Sequence, residues 1–91
     1  MNIIDEIKNY KLDYMDNVKL FHTIMTFWTQ KRIDKNSISK KIYDIADSLS
    51  EKYPREEYER ELLDFVDEIN KKEYDIIKQR RNNKPSPVIN I

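Results

Sequence analysis

Residues 54–81 read PREEYERELLDFVDEINKKEYDIIKQRR, and their spacing decides the fold. Tyr58, Leu62, Phe65, Ile69 and Ile76 recur at steps of three, four and seven, which places them on one helix face. Leu63, Val66, Tyr74 and Ile77 broaden that stripe. Pro54 suits a first helical turn, where a missing N–H is harmless. Glu56 and Glu57 follow it, where the helix dipole favours acids. Glu56–Arg60, Asp67–Lys71 and Glu68–Lys72 stand four apart in the favourable acid-first order. One long helix is predicted from Pro54 to about Arg81.

The same period runs back towards the N-terminus. Ile38, Ile42, Ile45, Leu49 and Tyr53 form a second stripe, predicting a helix from about Ile38 to Lys52. Ser37 or Asn36 would cap it, and Pro54 would end it, because a residue before proline is pushed out of helical geometry. Residues 33–37 form the turn ahead of it. In the first third, Ile4, Ile7, Tyr14, Val18, Phe21, Met25 and Trp28 share a face, widened by Leu20, Ile24 and Phe27. Asn2 caps the start. Asp13, Asp16 and Asn17 are all good caps, so the segment has room for a break around Lys11–Asn17. Pro85 and Pro87 exclude helix from the C-terminal stretch, and residues 88–91 are the sole candidate strand. These readings give an all-α fold: a small antiparallel bundle of three long helical segments (residues 1–82), the first broken or continuous, with a tail at 83–91.

Lengths expose a mismatch. At 1.5 Å per residue the first segment spans about 45 Å if unbroken, the second about 23 Å and the third about 42 Å. The second cannot cover the other two. Ile3, Ile4, Ile7 and Tyr10 should overhang at one end, and Tyr74, Ile76 and Ile77 at the other. Either the first segment folds back at its break or a second copy of the chain covers the excess as a homodimer.

Composition excludes several chemistries. The 91 residues contain no cysteine and no glycine. Disulfides and thiolate metal sites are out, and so are the glycine-dependent phosphate loops. His22, the one histidine, has no ligating or acid–base partner at helical spacing. The carboxylates of residues 56–68 are spread around a helix and interleaved with Arg60, as on a solvated face. Ser37, Ser39, Ser48 and Ser50 have no activating base at a recognisable spacing. The expectation is a non-enzymatic protein with no cofactor and no metal. The N-terminus does not read as a signal peptide and no stretch is apolar enough to span a membrane, so a cytoplasmic protein without a membrane partner is expected.

Charge is balanced at 17 basic and 17 acidic residues, but unevenly placed. Residues 31–41 carry +4, residues 42–70 carry −7 and residues 71–91 carry +4. An up-down path would gather Lys31, Arg32, Lys35, Lys40 and Lys41 with Lys71, Lys72, Lys78, Arg80 and Arg81 at one pole. Two functions follow. The leading one is a protein-binding module, an inhibitor, immunity or accessory factor of phage, plasmid or bacterial origin that occludes a partner surface. Its apolar anchors would be Tyr10, Tyr14, Tyr74 and Ile77, since aromatic residues carry much of the energy of interfaces. The alternative is a nucleic-acid-binding or regulatory protein that uses the basic pole of residues 31–41 with 71–84.

Overall fold

The computed structural model describes residues 2–29 and 32–83, with side chains to Arg80. Its α-helices are α1 (Ile3–Asn9), α2 (Tyr14–Trp28), α3 (Lys40–Lys52) and α4 (Arg55–Asn83), with one 3-10 turn at Lys35–Ser37. There is no strand among the described residues. Lys31, the Arg81 side chain and residues 84–91, including the candidate strand, lie outside the described set.

The first segment is broken. Asn2 and Asp5 form a reciprocal capping box that starts α1. Tyr10 closes it, and Lys11 then takes a left-handed φ of 53°. Its N–H still bonds the Lys8 carbonyl at 3.1 Å, the usual way a helix stops and turns. Asp13 restarts the chain by accepting the Asp16 N–H at 2.8 Å. Asn17 ties the two ends by donating to the Leu12 carbonyl at 3.3 Å.

The break lets α1 fold back onto the body. Ile3 and Ile7 are fully buried among Leu20, Ile24, Ile42, Leu49 and Leu62. The expected overhang at this end is therefore absent. Only Tyr10 and part of Ile4 remain accessible there.

α2 and α4 run antiparallel. The Tyr14 hydroxyl, at the start of α2, donates to Asn70 Oδ1 at 2.6 Å. At the other end, Trp28 Nε1 donates to the carbonyls of Tyr53 (3.0 Å) and Ser50 (3.3 Å), just ahead of α4. Trp28 thus fastens the C-terminal ends of α2 and α3 to each other. The connection between them doubles back: Arg32, Ile33, Asp34, Ser37 and Ile38 border the same depression as Lys19, His22, Thr23 and Thr26 of α2.

Two local expectations need correction. Ser39, not Ser37 or Asn36, caps α3, accepting the Ile42 N–H at 3.3 Å. Ser37 instead donates to the Asp34 carbonyl at 2.8 Å inside the 3-10 turn. Ile38 precedes α3 and borders one depression with Tyr43, the arrangement of a hydrophobic staple. Along α4, Arg60 reaches forward to Asp64 (3.5 Å) and not back to Glu56, while Glu68–Lys72 pairs at 3.6 Å as spaced.

Candidate functional site

α4 outruns the described helices that pack against it. Leu62, Phe65 and Val66 are buried and Ile69 is half-buried. From Asn70 to Arg80 every residue is exposed except Glu73. α2 begins at Tyr14, beside Asn70, so past its first turn no described helix flanks α4. Tyr74, Ile76 and Ile77 remain accessible here, as the length argument predicts for this end.

Three of the four anchors predicted from sequence meet in one place. Tyr14, Tyr74 and Ile77 border a depression of about 500 Å³ together with Met15, Asn70 and Glu73. Tyr74 is 65% exposed and Met15 57%, while the Tyr14–Asn70 hydrogen bond fixes the floor. Met15 was missed because it falls off the α2 core stripe, and off-stripe residues read as surface. The fourth anchor, Tyr10, lies elsewhere, beside Glu6, Asn9, Ser48 and Lys52.

The basic residues do not form one pole. Lys35 sits over the Tyr43 ring at 5.3 Å, Tyr43 meets Phe27 edge-on, and Lys40 borders the same depression as both Lys35 and Tyr43. Arg32 lies beside Thr26. This group therefore sits near the C-terminal end of α2. Lys78 and Arg80 extend past Asn70, which pairs with the opposite end of α2. Helix rise puts the two groups about 30 Å apart along the common axis. The returning connection between α2 and α3 breaks the zigzag that would have gathered them.

The depression nearest to enzyme-like chemistry lies between α2 and the returning connection, where His22, Asp34, Ser37 and Arg32 meet around about 300 Å³. Asp34 and Ser37 are committed to local structure. The Asp34 carboxylate accepts the Asn36 N–H at 3.0 Å, and the Ser37 hydroxyl is held by the Asp34 carbonyl. His22 is exposed and meets Phe21 edge-on. No hydrogen bond links it to Ser37 or Asp34 among the described residues.

Beside a separate depression, Lys52 of α3 pairs with Glu6 of α1. The Lys52 ammonium holds the Glu6 carboxyl below its ordinary value, and Glu6 in turn raises Lys52. Burial against this pair pushes the Tyr53 phenol up. The pair fastens α1 to α3 and borders the depression that also holds Tyr10. No described helix is long and apolar enough to cross a membrane.

No protein-family profile, curated protein or solved structure matches the chain.

Proposed function

We propose that the protein is a binding module for another protein and acts by covering a surface of that partner. The observation that carries this reading is the convergence of Tyr14, Met15, Tyr74 and Ile77 from two helices onto one exposed depression. Two tyrosines, a methionine and an isoleucine around a shallow hollow match the makeup of interface cores, which favour aromatic residues and Met. Met also adapts its shape to a partner at small cost. Glu73 and Asn70 at the edge supply polar groups for orientation. An inhibitor, immunity or accessory role fits an exposed surface of this makeup.

The test is recovery of the tagged protein from native lysate, with and without nuclease, beside a Met15→Ala/Tyr74→Ala variant. The reading expects a protein retained by the wild type in both lanes and lost by a variant that melts like the wild type. A retained species that disappears with nuclease would instead support nucleic-acid binding. Equal retention by wild type and variant would remove this surface from the function.

A further inference from the structure

The core-facing stripe of α4 does not stop where its cover stops. Leu62, Phe65, Val66 and Ile69 face the body of the protein. Eleven residues later, about three helical turns, the same positions are Glu73, Ile76, Ile77 and Arg80. The face that is apolar under α1 and α2 thus continues as an acid, two isoleucines and a base. Ile76 and Ile77 are 44% and 43% exposed.

This second quartet is symmetric about its own midpoint. Ile76 and Ile77 flank the centre, and Glu73 and Arg80 stand equally far on either side, with opposite charge. A helix with this pattern is complementary to itself when reversed. In a two-fold interface, residue i meets j while j meets i. Reversing a second copy about the centre places Ile76 against the partner subunit's Ile77, and Glu73 against the partner subunit's Arg80. Neither Glu73 nor Arg80 has a salt-bridge partner among the described residues. The free stretch from Asn70 to Asn83 is about 20 Å long, and the two bodies would sit at its opposite ends.

We infer that this chain self-associates through an antiparallel pairing of its α4 ends, with Glu73–Arg80 ion pairs on both sides of an isoleucine centre. The occupant is a second copy because the charge pattern selects the reversed form of the same helix. The inference shares Glu73 and Ile77 with the partner-binding depression, and adds Ile76 and Arg80, which do not border it. It does not depend on the lysate experiment, and purified protein alone tests it.

The experiment is sedimentation equilibrium of the purified full chain from about 10 µM to about 1 mM, the range expected of an interface at the small end of known sizes. Wild type should shift from monomer to dimer across it. Glu73→Arg and Arg80→Glu should each lower the association constant at least about tenfold, because like charges then face each other. An equimolar mixture of the two variants should restore the dimer, since one copy offers two bases and the other two acids. Circular dichroism of each variant should match the wild type. A wild type that stays monomeric at the highest concentration overturns the inference. So does a mixture of folded variants that fails to reassociate, which would leave some other occupant for the face.

Discussion

Trp28 Nε1 donates to the Tyr53 carbonyl at 3.0 Å, joining the end of α2 to the residue before Pro54. This single contact fixes where α4 departs, because Tyr53 is the C-cap of α3 and Pro54 directly precedes α4. Tyr58, on the first turns of α4, meets the Tyr53 ring edge-on at 4.8 Å. The corner is therefore an aromatic cluster held by an indole hydrogen bond. Trp28→Phe keeps most of the packing but leaves the carbonyl contact unmade. A loss of about 1–2 kcal/mol is expected, read as a lower urea midpoint with unchanged slope. A Trp28→Phe protein as stable as wild type would show that the hydrogen bond does not hold the corner.

Burial of α1 makes an asymmetric prediction. Ile3→Ala or Ile7→Ala opens a hole in the core and should cost about 2–5 kcal/mol. Tyr74→Ala and Ile77→Ala, on the uncovered end of α4, should stay within about 0.5 kcal/mol of wild type. Thermal unfolding of the four variants at low concentration checks both halves. Equal effects at the two ends would mean that α1 does not fold back.

Lys11 is the described non-glycine residue with positive φ. A left-handed conformation costs an ordinary residue about 1–2 kcal/mol, while glycine adds about 0.5–1 kcal/mol of unfolded-state entropy. Lys11→Gly should therefore be neutral or stabilising by up to about 1 kcal/mol. Lys11→Pro forbids the turn and removes the N–H that bonds the Lys8 carbonyl, so it should destabilise by several kcal/mol, about 3 or more. Melting curves of the two variants, moving in these separate directions, would confirm the turn.

The Glu6–Lys52 pair links stability to pH. The Glu6 carboxyl is lowered from its ordinary value of 4.5 by the Lys52 hydrogen bond. A group held lower in the folded state contributes stability that is complete above the unfolded value and is lost as pH falls through the folded one. Acid should therefore loosen α1 below about pH 4.5, and Glu6→Gln should flatten that slope. Lys52, raised from 10.5 chiefly by Glu6, acts in the other direction: its contribution is complete below 10.5 and fades as pH rises through the folded value. Both side chains reach solvent, so added salt should weaken the dependence. Chemical denaturation from pH 3 to 7 on wild type and Glu6→Gln, about 0.05 M against 0.5 M salt, checks sign and screening together.

Periodicity carried most of the fold. The stripes of α3 and α4 are regular and strongly segregated, so Ile42, Ile45, Leu49, Leu62 and Phe65 could be assigned to the core from spacing alone. The break after α1 was legible because three capping residues crowd residues 13–17. Its consequence was not, since two routes for hiding Ile3 and Ile7 have the same local signal. The α3 cap was ambiguous for a local reason: Ser37 and Ser39 flank Ile38 and either could cap, and the cap at Ser39 puts Ile38 and Tyr43 in staple positions. The charged pole failed for a non-local one. Whether residues 32–38 turn away from α2 or retrace it depends on tertiary contacts that no helical period encodes. At the candidate site, length bookkeeping found Tyr74 and Ile77, while Met15 needed the register between α2 and α4.

The uncovered end of α4 also divides that helix into two regimes of backbone protection. Around Leu62 an amide is sealed by the body and opens only when the whole domain does. Past Asn70 only the first turn of α2 borders the helix among the described residues, and helix content there rests mainly on propensity and neighbouring charge. Amide exchange should accelerate steadily along one unbroken helix, from the slowest rates in the molecule to nearly the fastest. Whatever docks on the outer turns will slow exchange there first, which makes the helix its own reporter of occupancy.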